Sequence, residues 1–150
     1  MIENQTEKTI MATLVQEENR LAFLPKYFGA YFITGEGLVF NWMRRMVSDY
    51  IGGYWNFFEL SNGGFYIAPR KDNNKKFQMS TGFVTMDVTH DTAGIVVTLY
   101  AMSHLMNMEC EKNLSPQEEE SLERIHDHYY QLRDYAAEHP EAEAIFALID

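Results

Sequence analysis

The strongest pattern of polar and apolar positions runs from Tyr50 to Pro69, YIGGYWNFFELSNGGFYIAP, where seven aromatic residues and two Gly-Gly pairs fill twenty positions. Tyr54 to Leu60 is a run of aromatic and apolar residues, Ser61-Asn62-Gly63-Gly64 has turn chemistry, and Phe65 to Ala68 returns. Asn-Gly supplies the positive φ angles that tight hairpin turns need, because glycine has no Cβ and Asn tolerates the left-handed region. Pro69 has no N–H to donate to a ladder, so the return strand is expected to end there or to lie at an edge. The pattern predicts a β-hairpin, and a hairpin that is marginal alone needs a third strand and a helical cover.

The remaining chain supplies candidates for both. Met11 to Val15 reads as a short strand, and Glu17 to Leu24 as a short helix that Pro25 ends or kinks. Gly35 and Gly37 are expected to punctuate the chain before an amphipathic helix. In it Leu38/Val39, Trp42/Met43, Met46/Val47 and Tyr50 recur at helical spacing, with Asn41, Arg44, Arg45 and Asp49 on the other face. RKDNNKK (70–76) has the composition of an exposed loop. Phe77 to Thr85 is predicted as a third strand, bulged at Gly82, that continues the hairpin as an antiparallel meander. Asp91 to Glu111 is apolar almost all the way round, as in a central buried helix, with Thr89 or Asp91 as its N-cap. Ser115-Pro116-Gln117-Glu118 has the form of a capping box with proline at the first helical position. Leu122, Ile125, Tyr129, Leu132 and Ala136 then form a single apolar seam. Glu138-His139-Pro140 stops that helix, and Glu141 to Leu148 is a short terminal one. The expected fold is α+β: a single compact domain over residues 1–150, a small antiparallel sheet covered by several helices, and a flexible first ten residues.

Composition agrees with a packed core, since 46% of the 150 residues are hydrophobic. The opening residues lack the basic and apolar regions of a signal peptide, and no apolar stretch approaches the ~20 residues of a membrane span. Cys110 is the one cysteine. A chain without an intrachain disulfide is expected to be cytoplasmic, and the neighbouring Glu109 and Glu111 disfavour a thiolate there. The net charge of −10 is uneven: Glu109 to Asp150 holds twelve acidic and three basic residues, while residues 1 to 108 are almost neutral. That distribution opposes direct nucleic-acid binding, which rests on Lys and Arg. A solvated helix face accounts for the acidic run, and an acidic surface facing a basic partner is the sharper alternative.

Catalytic chemistry finds little support. His126 and His128 are two apart, so on a helix they diverge and cannot share a metal. His104 with Met108 and His126 with Tyr130 have helical spacing but poor ligand chemistry, and His90 lies beside Asp91 with no nucleophile marked. No zinc spacing, phosphate-binding glycine fingerprint or nucleophile elbow is present, so no metal, cofactor or catalytic residue is assigned. Asp49 and Glu59 are the carboxylates to examine as a pair. The hairpin rings invite a base-stacking role, but that mode also wants a basic groove, and core packing is the simpler use of them.

The wording of several blocks is more specific than their statistics. FLPKYFG (23–29), GLVFNWM (37–43), DYIGGYWNFFELSNGGFYIAP (49–69), DTAGIVVTLYAMSHL (91–105) and LRDYAAEHPEAEAIFALID (132–150) resemble, in this order, the ArdB/KlcA antirestriction family. The resemblance runs from about Ala22 to the C-terminus. It implies a compact α/β domain with an antiparallel sheet, carriage on plasmids and other mobile elements, and relief of type I restriction of unmodified incoming DNA. It implies no catalytic residues, since the family has none established. The implied partner is the type I restriction complex or an accessory component. Two departures, Asn56 in place of an acidic residue and the basic pair Arg44-Arg45, bear on partner contacts. The residues expected to make such contacts are Arg44, Arg45, Asp49, Glu59 and Asn62. Blockade by contact is the leading expectation, with acidic DNA mimicry the alternative and an enzyme a distant third.

Overall fold

The chain runs through β1 (Ala12–Leu14), α1 (Arg20–Phe28), α2 (Phe32–Met46), β2 (Trp55–Leu60), β3 (Phe65–Pro69), β4 (Phe77–Ser80), β5 (Thr85–Val88), α3 (His90–Met108), α4 (Pro116–Ala137) and α5 (Ala142–Ile149). The computed structural model describes residues 9–71, 73–108 and 113–150. The expected flexibility of the first residues, the end of the helix predicted to reach Glu111, and Cys110 fall outside the described residues.

The hairpin forms where its turn chemistry puts it. β2 and β3 pair antiparallel with Phe57 opposite Ile67 and Glu59 opposite Phe65. Gly63 holds a φ of 96°. Asn62 closes the turn with its own side chain, accepting the Gly64 N–H at 3.1 Å and donating to the Gln131 carbonyl of α4 at 2.9 Å.

The third strand lies upstream of the hairpin, which corrects the expected meander. β1 pairs antiparallel with β2, so the sheet order is β1-β2-β3. The Phe77–Thr85 segment holds β4, a turn and the first residue of β5, and these two strands form a separate two-stranded ladder. Gly82, at φ 97°, belongs to the turn between them and not to a bulge.

The reason lies at the outer edge of β3. Even-numbered residues of β3 bond to β2, as the flanking bonds from Leu60 N–H to the Gly64 carbonyl and from Arg70 N–H to the Tyr54 carbonyl fix. Ile67 therefore points its N–H and carbonyl away from β2, where a fourth strand would bind. Helix α3 occupies that place. The Thr98 hydroxyl accepts the Ile67 N–H and donates to the Ile67 carbonyl, both at 3.3 Å. Gly94, one turn earlier, brings the helix close enough: a Cβ there would fall on Ala68 and the Ile67 carbonyl. Every residue of β3 is consequently buried. Covering an edge with a helix removes the hazard of unpaired strand groups. At the other edge, Met11 and Val15 bond to β2 and leave Ala12 and Leu14 facing outward.

The helices cover the sheet with their apolar faces. Phe23 and Tyr27 of α1 pack on Phe57 and Phe65 with ring centroids 4.8 Å apart in both pairs. Pro25 lies inside α1, which runs on to Phe28, so it does not end the helix. The bond that Pro25 forgoes is to the carbonyl of Leu21, a residue 96% exposed, so water can satisfy it. Gly29 ends α1, and Ser121 of α4 accepts the following Ala30 N–H at 3.0 Å. Gly35 and Gly37 likewise lie within α2, which starts earlier and ends at Met46. Gly35 is there for contact, since a Cβ would strike the Phe28 ring. The predicted capping box of α4 is present, with Glu118 N–H bonded to Ser115 and the Glu118 carboxylate to the Ser115 N–H.

Two glycines in helices test this packing with opposite signs. Gly37→Ala, whose Cβ meets nothing within 4 Å, should stabilise the protein by about 0.5–1 kcal/mol through helix propensity. Gly94→Ala gains the same propensity yet should destabilise by about 1–3 kcal/mol, because α3 must lift from β3. Denaturant unfolding of the two variants measures both.

Candidate functional site

The end of α2 with the turn after it, and the β2–β3 hairpin, carry the residues expected to make contacts, and the structure divides them into two groups. Glu59 lies on β2 opposite Thr13 of β1. Its Oε2 accepts from Lys26 Nζ at 3.0 Å and from the Tyr27 hydroxyl at 2.9 Å. The Lys26 hydrogen bond leads in holding the Glu59 carboxyl below its ordinary value, Tyr27 and the Lys26 charge add to it, and partial burial opposes them. Burial, reinforced by Glu59, pushes the Tyr27 phenol well above its usual range. Glu59 forms one wall of a groove of about 430 Å³ beside β1 and α1. Asn62 is committed to the hairpin turn and to α4.

Arg44, Arg45 and Asp49 form the second group, exposed at the end of α2. Cations suit a helix C-terminus. Arg44 Nη2 donates to Asn41 Oδ1 at 2.6 Å, and the Arg45 guanidinium stands 5.2 Å over the Trp42 ring. No hydrogen bond, ion pair or shared cavity joins Asp49 to Glu59 among the described residues, so the carboxylate pair gains no support.

Most hairpin rings are buried, as expected. Trp55, Phe57, Phe65 and Tyr66 belong to the core, and Phe58 stacks on Tyr66 at 4.8 Å. The exposed Tyr54 is occupied: Arg20 stands 4.6 Å from its ring and Arg70 5.6 Å.

A third cluster was not legible as a group. Asp91, in the first turn of α3, accepts the Tyr66 hydroxyl at 2.7 Å and meets His139 Nε2 at 2.8 Å. His139 Nδ1 accepts the Glu141 N–H at 3.0 Å. With Nδ1 accepting, the proton sits on Nε2 and is donated to Asp91. Both ring nitrogens are engaged, so this imidazole has no free lone pair to act as a base. Burial, reinforced by Asp91, pushes Tyr66 far above the usual range, so it stays a phenol. Thr89 is the N-cap of α3, accepting the Thr92 N–H at 3.1 Å, and it also donates to Glu141 at 2.8 Å. The cluster fastens the α4–α5 turn to β3 and to the start of α3. Its members lie in three separate segments, and only the Glu138-His139-Pro140 stop hinted at a special turn. Among the described residues, no three His, Cys, Asp or Glu side chains group as metal ligands, and no helix is long and apolar enough to cross a membrane.

With this geometry in hand, similarity to known proteins becomes specific. Residues 48–150 match the model of a family described as antirestriction protein. Over their full lengths, the chain is 40% identical to an antirestriction protein KlcA of Escherichia coli. A putative antirestriction protein YubI of Escherichia coli strain K12 is 33% identical, over 91% of this chain and 93% of that one. A solved chain superposes with a TM-score of 0.82 at 38% identity, covering 99% of this chain and all of the other. It comes from structures of the KlcA and ArdB proteins, described as having a novel fold and antirestriction activity against type I DNA restriction systems in vivo but not in vitro.

The hairpin's cover predicts a pH dependence. His128 of α4 stands edge-on to Phe65 and Tyr27, at 5.5 and 5.3 Å, with Nδ1 2.8 Å from Gln131 Oε1. Burial, helped by the Arg124 charge, lowers its pKa below the ordinary 6.5, against the opposing pull of Gln131 and Asp127. The unfolded chain therefore binds the proton more readily, and the neutral ring contributes stability that is complete above pH 6.5 and lost as pH falls through the folded value. Thermal unfolding of the wild type should weaken more steeply from pH 7 to 5 than that of His128→Gln. Equal slopes would remove His128 from the account.

Proposed function

The chain belongs to the antirestriction protein family, and from that premise we propose that it relieves type I restriction of incoming unmodified DNA by contact with the restriction complex or an accessory component. The observation that carries this reading is the full-length agreement with a solved chain whose group is active against type I systems in cells. Activity seen in vivo and not in vitro is what a contact inhibitor would show if a cellular component were needed. A contact mechanism fits the occupied polar clusters: both His139 nitrogens and Glu59 Oε2 are engaged by neighbouring groups.

DNA mimicry has one observation in its favour, the exposed acidic face of α4. Its carboxylates are too sparse. From Glu119 to Asp134 the helix advances about 22 Å, and Glu119, Glu120, Glu123, Asp127 and Asp134 are its exposed acidic residues. Duplex DNA of that length carries about 13 phosphates. Exposed Arg124 interrupts the face as well.

Plating of unmodified phage on a type I restricting host tests the reading. Cells expressing the protein should plate the phage far better than cells without it, and unchanged plating would refute antirestriction. The combined Glu118→Gln, Glu119→Gln, Glu120→Gln and Glu123→Gln variant should keep its activity, since Gln also serves in the capping box; its loss in a folded variant would favour mimicry. Glu59→Gln should also remain active. Abolished activity in a folded protein would make Glu59 a contact residue if partner capture is lost with it, and would reopen the enzyme reading if capture is kept.

A further inference from the structure

Two hollows share one aromatic wall on the far side of α2. The Trp42 ring lies 4.7 Å from Tyr100 of α3. Both line an open cleft of about 740 Å³ and an adjoining hollow of about 390 Å³. The Tyr100 hydroxyl donates to the Leu148 carbonyl at 2.8 Å, which ties this wall to α5. The β4–β5 turn forms the opposite lip, and Phe83 projects from it 98% exposed. Arg45 also lines the cleft, over Trp42, with no carboxylate partner among the described residues. Asp150 lies on a further lip, 3.4 Å from Arg133.

The helix dipole explains a cation at the end of α2, but not an exposed phenylalanine beside it. Aromatic and arginine side chains around a concave surface are the groups that dominate interface energies. The charges select the occupant. A polyanion such as a nucleic-acid backbone would meet Asp150 as well as Arg45. A polypeptide can place a carboxylate against the guanidinium and keep acidic groups away from Asp150.

We infer that this cleft docks a segment of a partner protein that sets an apolar side chain between Phe83 and Trp42 and a carboxylate against Arg45. The inference rests on the proposed function, which makes that partner part of the restriction complex or its accessory component.

The phage-plating assay separates the two readings. Wild-type relief must be seen first, and its absence would defeat the antirestriction reading itself. Given that relief, Phe83→Ser and Arg45→Gln should each reduce it by roughly tenfold or more, as loss of an interface anchor does, in variants that remain folded at the plating temperature. Leu21→Ser, at a residue of α1 that is 96% exposed and outside the cleft, should leave it unchanged. Retained relief in both cleft variants would overturn the inference and leave the antirestriction reading standing. A photo-crosslinking phenylalanine analogue at position 83, used in restricting cells, identifies the occupant. A crosslink to a protein segment rich in Asp or Glu supports the inference. A crosslink to nucleic acid or to a second copy of this chain, or none above the same analogue at position 21, overturns it.

Discussion

One hydroxyl settles the arrangement of this fold. Thr98 of α3 bonds to both the N–H and the carbonyl of Ile67, and so a helix stands where the sheet would otherwise continue. A buried strand edge with unmade hydrogen bonds costs about 1–3 kcal/mol for each group, and a helix satisfies its own backbone, leaving only side chains to do this work. Threonine serves because its hydroxyl can donate and accept at once. Gly94 supplies the approach that makes those bonds reachable. With the β3 edge closed, β4 and β5 pair with each other, and β1 takes the free edge of β2.

The surfaces available for function follow from that packing. With α3 against the sheet, Tyr100 on its outer side meets Trp42 of α2 and the Leu148 carbonyl of α5. The displaced β4–β5 ladder becomes a lip instead of a sheet strand, and its turn exposes Phe83. The same helix begins at Thr89 and Asp91, which hold Glu141 and His139 and so anchor α5. The polar clusters here join elements, whereas Phe83 and Arg45 stand exposed around the aromatic wall.

Much of this was legible locally. The Asn-Gly turn and the Ser115 capping box are short-range chemistry, and both appear as read. Helix α3 was legible from its apolar surface, because a helix buried on every side has no polar face to show. The edge closure was not. Thr98 reads as one more residue of an apolar run, and Gly94 as a mild helix weakness, until β3 is placed beside them. The third strand went to the wrong segment for the same reason: periodicity identifies a strand but not which edge is free. Gly35, Gly37 and Pro25 misled through their usual roles as breakers, while tertiary contact kept them within helices. Of the contact residues, Arg45 reached the candidate cleft, but Trp42, Tyr100 and Phe83 come from three separate elements, and pattern alone gives no reason to group them.

Native-state hydrogen exchange at the Ile67 amide tests the closure of this edge most directly. Ile67 has no strand partner for its N–H, so an open edge would let it exchange rapidly, as local opening does for exposed edge amides. With Thr98 holding it, Ile67 should exchange as slowly as the neighbouring Ala68, whose N–H bonds to β2, and Thr98→Val should speed exchange at Ile67 ahead of Ala68. Exchange at Ile67 in the wild type as fast as at Leu14, on the outward side of β1, would contradict the account.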